Sequence, residues 1–152
     1  MRHDVEVSDW AEGPAPLGYG EGFIRTELSF GPDSKQKWAS AFFRAAFSWP
    51  STKALTKLRV KVRRDDGILL YLNGKEILRQ HLPDTSTVAW TTYATQEVGG
   101  IEEALYYVTE IDPKLLQEHN VLAAQVHQCN GNSSDLSFDL TVEGLLGPND
   151  VE

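Results

Sequence analysis

Apolar and polar positions alternate in several short segments of this chain, which is typical of β-strands. Leu58, Val60 and Val62 share one face of an extended segment, and arginine or lysine occupies the positions between and after them. Residues 136–142 alternate in the same way, with serine, aspartate and threonine on the other face. Both segments are therefore predicted to be strands with one solvated face. We expect the basic row and the acidic row to lie in one sheet, where opposite charges on neighbouring strands attract.

A β-hairpin is predicted between residues 67 and 79. Ile68 to Leu72 is apolar at every position, so both faces of this strand are expected to be covered. Asn73-Gly74 follows, and both central residues of a type I′ turn need a positive φ, which Asn and Gly adopt at least cost. A second strand then runs to Arg79.

The remaining pattern predicts short strands separated by turn residues. These strands are expected at residues 23–30, 38–49, 104–111 and 121–128. Residues 13–20, rich in Gly and Pro, are predicted to be irregular. Asp112-Pro113 is predicted to begin a single helical turn, with Asp as its cap. With so little helix, the fold class is all-β, an antiparallel β-sandwich.

Size and charge limit the possible functions. A chain of 152 residues is predicted to form a single domain, residues 1–152, with its core at about 10–144. The net charge of −8 argues against nucleic acid or an anionic membrane as the main partner, because both attract positive surfaces. The single cysteine, Cys129, excludes a framework of internal disulfides.

Targeting and membrane signals are not visible in the sequence. No apolar run approaches the roughly 18 residues that a membrane-spanning helix needs. Residues 1–20 contain no apolar core of a signal peptide.

Several blocks of residues, taken in order, resemble a known family. They are Trp10 with Ala15-Pro-Leu-Gly-Tyr-Gly20, Phe42-Phe-Arg44, Asp65-Asp-Gly67 with Tyr71-Leu-Asn-Gly74, residues 120–128, and residues 133–140. Together they resemble the galactose-binding-domain-like jelly roll that accompanies metallophosphoesterases and polysaccharide-degrading enzymes. The resemblance implies a jelly-roll sandwich, an extracellular location and a module that belongs to a larger protein. It says little about the ligand, because this fold hosts many functions.

The adjacent carboxylates Asp65 and Asp66 are the first candidate site. Neighbouring side chains of an extended chain point to opposite faces, so the pair is unsuited to acid–base catalysis. A cis-like turn would bring them together on a calcium ion, which prefers oxygen ligands. Some sugar-binding sandwiches with a similar Asp-Asp-Gly segment hold calcium, which the resemblance implies here. Alternatively, one Asp caps the start of the hairpin and the other pairs with an arginine, at 63, 64 or 79.

The loop 128–135 is the second candidate site, and we expect it to share one rim with Asp65 and Asp66. Its amide, hydroxyl and carboxylate groups are suited to binding sugar hydroxyls or calcium, and equally to an ordinary tight turn. The candidate ligand-binding residues of this loop are Asn130, Asn132, Ser133, Ser134 and Asp135.

His127 and the aromatic residues complete the candidates. His127 with the serines and Asp135 invites a catalytic-triad interpretation, but no nucleophile elbow is present, and we expect a structural hydrogen bond instead. His127 also stands among the candidate ligand-binding residues because it adjoins the loop. Trp90 and Tyr93 are predicted to be surface platforms for a sugar ring, whereas Trp38 is predicted to lie in the core.

These observations favour a non-catalytic module that binds carbohydrate, with calcium as a candidate cofactor. The alternative is a structural or protein-interaction domain that packs beside an enzyme such as a phosphoesterase and binds no small molecule. A hydrolase would need separated paired carboxylates, and the sequence offers only neighbours such as Asp65-Asp66 and Glu102-Glu103. We therefore predict no enzymatic activity.

Overall fold

The computed structural model of the protein describes residues 6–49 and 55–147. The predicted domain limits at residues 1 and 152 lie outside these ranges. The described chain is built almost entirely of strands: β1 (Leu17–Tyr19), β2 (Thr26–Glu27), β3 (Ser40–Ser48), β4 (Leu55–Asp65), β5 (Gly67–Leu72), β6 (Lys75–Gln80), β7 (Tyr107–Ile111), β8 (His119–His127) and β9 (Leu136–Leu146). A one-turn helix, α1 (Ile101–Ala104), precedes β7, and a 3₁₀ turn (Pro113–Leu115) follows it.

The strands form two sheets that pack face to face. One sheet has the order β2-β1-β9-β4-β7 and the other has the order β3-β8-β5-β6. Neighbouring strands are antiparallel except for the short pair β1–β2. The predicted all-β antiparallel sandwich is confirmed.

The core lies where the apolar faces of the two sheets meet, as the alternation predicts. Leu58, Val60 and Val62 are completely buried, and each such side chain contributes roughly 1.5–3 kcal/mol. Ring stacking of Phe43 on Phe138, with centroids 4.5 Å apart, joins the two sheets.

β4 and β9 are neighbouring strands of one sheet, and their outward-facing side chains lie side by side. This confirms the predicted pairing of the basic row with the acidic row. Arg59 faces Glu143 across the two strands, and Lys61 Nζ lies 2.7 Å from Glu143 Oε1. Exposed pairs of this kind contribute little, about 0–1 kcal/mol.

The Asn73-Gly74 hairpin forms as predicted. Asn73 has φ 51° and Gly74 has φ 80°, so both central residues lie in the left-handed region. Asn73 Nδ2 also donates to Leu115 O and to Asn120 Oδ1, each at 2.9 Å, and ties the turn to β8. Leu69, on the outer face of β5, is 1% exposed, so this strand is covered on both sides as predicted.

The N-terminal region differs from the prediction. Residues 17–19, expected to be irregular, form β1, and only Thr26–Glu27 of the predicted strand 23–30 is a strand. The glycine in β1 is the physical reason for the first difference. A Cβ at Gly18 would lie 1.9 Å from Leu136 O, so the absent side chain lets β1 approach β9 closely.

Of two later elements, one matches the sequence prediction and the other is shorter than predicted. The predicted helical turn is confirmed, and Asp112 Oδ1 accepts the amide of Lys114 at 2.9 Å. The predicted strand 104–111 is shorter than expected, since β7 begins at Tyr107 after α1. No helix among the described residues is long and apolar enough to cross a membrane.

Candidate functional site

One end of the sandwich, here called the rim, collects most of the residues that the sequence singles out. β4 and β8 end at the rim, and β5 and β9 begin there. Asp66 N donates to His127 O at 3.2 Å, and Cys129 N donates to Asp66 Oδ2 at 2.7 Å. The expected proximity of Asp65-Asp66 and the loop 128–135 is therefore present in the structure.

The side chain of Asp66 holds the rim together by accepting hydrogen bonds from two backbone amides. Its Oδ1 accepts the amide of Val98 and its Oδ2 accepts that of Cys129, each at 2.7 Å. The peptide bond between Asp65 and Asp66 is cis. Both carboxylate oxygens of Asp66 therefore accept amides from segments outside the hairpin, so this side chain anchors those two segments, and the calcium interpretation of the Asp65-Asp66 pair stays a prediction.

Asp65 is buried, at 3% exposure, and its Oδ1 has no hydrogen-bond partner. Burial, a hydrogen bond with Asp66, and the charge of Asp66 raise the pKa of Asp65 to about 9.

The arginines expected beside Asp65 bind other groups. Arg64 pairs with Glu102 at 3.5 Å and Arg79 with Glu76 at 2.9 Å, while Arg63 Nε donates to Glu103 O at 2.8 Å. The expectation of an arginine partner for the second carboxylate is therefore wrong. The reason is that Arg64 and Arg79 pair with glutamate carboxylates and Arg63 binds a backbone carbonyl instead.

The loop 128–135 uses part of its polar content for its own turn. Asn130 Oδ1 accepts the amide of Asn132 at 3.0 Å, and Ser134 Oγ donates to Asp135 Oδ1 at 2.7 Å. Asn132 and Ser134 are exposed, whereas Ser133 is half-buried. The turn interpretation therefore accounts for these hydrogen bonds, while the binding interpretation of the exposed side chains stays a prediction. Its cysteine, Cys129, is partly buried, and burial raises the pKa of the thiol to about 11.

His127 is completely buried, so its proposed contact with a ligand is wrong. Its Nδ1 donates to Thr92 O at 2.7 Å, which is the structural hydrogen bond that we expect from the sequence. Burial lowers the pKa of His127, because the charged imidazolium is disfavoured away from water.

Three carboxylates that the sequence does not link meet at the rim. One oxygen each from Glu21, Glu103 and Asp135 lies within 4.8 Å of the other two, and all three residues are half-buried. A hydrogen bond with Asp135 raises the pKa of Glu21, and burial adds to the effect. The sequence pattern singles out Asp135 but neither Glu21 nor Glu103 as a site residue, because only folding brings the loop after β1 and helix α1 together.

The exposure of the aromatic candidates agrees only in part with the prediction. Trp90 and Tyr93 are 61% and 41% exposed, which confirms their predicted position at the surface. Trp38 is 51% exposed, so its predicted place in the core is wrong. It precedes β3 rather than lying in the strand, and its indole packs over Gly31, where a Cβ would be 3.0 Å from the ring.

An open groove with a volume of about 400 Å³ lies beside the rim, between the edge strand β3 and the segment around β1. Both sheets contribute to its walls, which are mainly aromatic and aliphatic. The lining residues are Trp10, Tyr19, Leu28, Ser29, Phe30, Trp38, Ser40, Ala41, Phe42 and Leu136.

The groove and the acidic part of the rim are connected through buried polar groups. The Tyr19 hydroxyl, in the groove, accepts a hydrogen bond from Gln128 Nε2, which also donates to Asp135 O at 2.7 Å. Ser40, on the opposite wall, donates from Oγ to Trp90 O at 2.7 Å. The segment that carries Trp90 and Tyr93 is thus fixed to the edge of the groove.

Comparison with known proteins adds little to this geometry. No protein-family model and no curated protein matches the chain. Among solved structures, an α-L-rhamnosidase from Dictyoglumus thermophilum is similar at 16% sequence identity, with a TM-score of 0.43. The similarity covers 74% of this chain and 12% of the rhamnosidase chain. A likeness at this level carries no argument about function, which has to come from the site itself.

Proposed function

We propose that this domain is a non-catalytic carbohydrate-binding module of the galactose-binding-domain-like type. The single observation that carries the proposal is the convergence of exposed aromatic rings on one open groove. Trp10, Trp38 and Phe42 line it, and they are 36%, 51% and 37% exposed. Large exposed aromatics gathered on a concave surface indicate a binding site rather than a packing surface.

The chemistry of this groove suits a sugar ring. The face of an aromatic ring is negative, so it attracts the slightly positive C–H groups on one face of a pyranose. Ser29 and Ser40 add hydroxyl groups to the walls, and exposed Asn132 and Ser134 stand on the neighbouring loop. A few polar groups around an apolar surface supply orientation and specificity.

The test is affinity electrophoresis of the purified chain in gels that contain soluble polysaccharides, together with a glycan array. We expect retardation by at least one polysaccharide. Trp38→Ala is expected to weaken that binding by about 30-fold, because central aromatic anchors contribute about 2 kcal/mol or more. The matched control is Tyr107→Ala, which removes a similarly exposed aromatic from β7, in the other sheet. No binding across the panel, or full binding by Trp38→Ala, would contradict the proposal.

A second function, docking to a neighbouring domain, is favoured by the edge strand β7 and the segment before it. Five large apolar residues there are more than 40% exposed: Ile101, Leu105, Tyr106, Tyr107 and Val108. Within the described residues, β7 pairs only with β4, so one of its edges is open. Sedimentation equilibrium tests this function, since an adhesive edge should produce self-association that Val108→Lys abolishes.

A further inference from the structure

The chain contains two Asn-Gly sequences, Asn73-Gly74 and Asn130-Gly131, and the fold places them in different surroundings. Asparagine is a chemically labile residue, and a following glycine, which has no Cβ, leaves the side-chain amide open to attack by the next backbone nitrogen. We propose that Asn130-Gly131 is a self-modification site, where the loop deamidates without an enzyme, whereas the fold protects Asn73-Gly74. This inference is independent of carbohydrate binding.

The reaction at Asn130 is an intramolecular acyl transfer. The Gly131 nitrogen attacks Asn130 Cγ and forms a new C–N bond, while the bond from Cγ to Nδ2 breaks. The side-chain nitrogen leaves as ammonia and takes the proton of the Gly131 amide, so a cyclic imide remains. Water then opens the ring at one of its two carbonyl groups, which gives aspartate or isoaspartate. The sum is the exchange of one ammonia for one water, and no oxidant or reductant is needed.

The contacts of Asn130 favour this attack. The residue is exposed, so ammonia can leave directly into solvent. Asn132 N donates to Asn130 Oδ1 at 3.0 Å, and this oxygen carries the negative charge that develops when Cγ becomes tetrahedral. Among the described residues, none accepts a hydrogen bond from Gly131 N, so the nucleophile has no such bond to break. The leaving group, Asn130 Nδ2, is held only by Cys129 Sγ at 3.1 Å, and sulfur is a weak acceptor.

The side chain of Asn73 is held far more firmly. Its Oδ1 accepts from Val121 N, and its Nδ2 donates to Leu115 O and to Asn120 Oδ1, each at 2.9 Å. These partners belong to β8 and to the 3₁₀ turn, so they fix the amide group from outside the hairpin. Cyclisation at Asn73 would break these bonds, and we therefore expect it to be about tenfold or more slower than at Asn130.

The modification changes both the charge and the length of the loop. Conversion of Asn130 adds one carboxylate to a chain whose net charge is −8. Isoaspartate also inserts one methylene group into the main chain directly before Gly131, whose carbonyl accepts Lys37 N at 2.7 Å. Trp38, in the wall of the groove, follows Lys37. The reaction therefore alters the loop at the contact that joins it to the segment carrying Trp38.

The experiment incubates the full chain at mildly alkaline pH, where the attacking amide loses its proton more readily, and follows each asparagine by peptide mapping with mass spectrometry. We expect the Asn130 peptide to exchange NH₂ for OH and to separate into aspartate and isoaspartate forms, about tenfold or more faster than the Asn73 peptide. A parallel incubation in concentrated urea removes the fold. The two sites should then react at similar rates, because both asparagines precede glycine.

Two controls test the local chemistry at Asn130. Gly131→Ala is expected to slow conversion severalfold, because the methyl group shields the attacking nitrogen, and its nearest neighbour is the movable hydroxyl of Tyr93 at 3.0 Å. Asn132 is exposed in the same loop but precedes Ser133, so it should react more slowly than Asn130. The proposal is overturned if Asn73 reacts as fast as Asn130 in the folded chain, or if Asn130 reacts only in urea. An unchanged rate in Gly131→Ala would also overturn it.

Discussion

Asp66 and Cys129 are joined by a 2.7 Å hydrogen bond from the amide of Cys129 to the carboxylate of Asp66. This bond connects the crossing from β4 to β5 with the loop that leads to β9. Asp66 is 1% exposed and also binds Val98, so one buried side chain holds two loops against the end of the sandwich.

The first prediction is that Asp66→Asn destabilises the protein by about 2–4 kcal/mol. An amide offers only one acceptor oxygen, so one of the two buried backbone amides loses its partner. Equilibrium unfolding in urea measures the change. Asp9→Asn, at an exposed position, is the control and is expected to change the free energy of unfolding by less than about 0.5 kcal/mol. Equal stability of the two variants would contradict the anchoring role of Asp66.

The second prediction concerns the close approach of β1 to β9. Gly18→Ala is expected to cost about 2–4 kcal/mol, because the added methyl group would lie 1.9 Å from a backbone oxygen and the strands would have to separate. Gly22→Ala is the matched control, since no atom lies within 4 Å of its would-be Cβ. Similar midpoints of thermal unfolding for the two variants would show that this strand contact is absent.

The third prediction is that Asp65→Asn stabilises the protein at neutral pH by about 1 kcal/mol or more. The buried acid has a raised pKa and must take up a proton when the chain folds at this pH, a cost that the variant avoids. Equilibrium unfolding in urea at pH 7 measures the change. Lower stability of the variant at this pH would be the contrary outcome.

The fourth prediction is a dependence of stability on pH that originates at His127. Its pKa is lowered in the folded protein by burial, whereas the unfolded chain titrates near pH 6.5. Below about pH 6.5 His127 therefore binds more protons in the unfolded chain than in the folded one, so its own contribution to stability falls as the pH decreases, opposite to the contribution of Asp65. Urea unfolding between pH 5 and 7 isolates this contribution as the difference between the unmodified chain and His127→Gln, whose stability should fall less, or rise more, as the pH decreases. His119→Gln, at an exposed position, is expected to leave the pH dependence unchanged.

The sequence predicts the fold well because the sandwich depends on local alternation. Leu58, Val60 and Val62 face the core as the pattern requires, and the Asn73-Gly74 turn forms because only its own two residues decide it. The pattern fails where a contact with a distant strand overrides local composition. Residues 17–19 look irregular by composition, yet they form β1 because Gly18 lets them lie against Leu136.

The site is harder to predict because its parts come from separate segments. Asp65, Asp66 and the loop 128–135 follow from the positions of the strand ends, so their proximity is predictable. The meeting of Glu21 with Glu103 depends on how α1 packs against the loop after β1, which no periodicity encodes. Trp38 illustrates the same point, since a large aromatic near a strand is expected inside and is instead half-exposed beside a groove.

Cys129 has a practical consequence for handling the protein. The thiolate is the form of cysteine that reacts with thiol reagents and oxidants. A pKa raised to about 11 leaves very little thiolate at neutral pH. Preparations should therefore resist air oxidation and remain free of intermolecular disulfides without added reductant. Maleimide dyes should react with this single cysteine slowly, which makes newly introduced surface cysteines selective attachment points for fluorescent reporters.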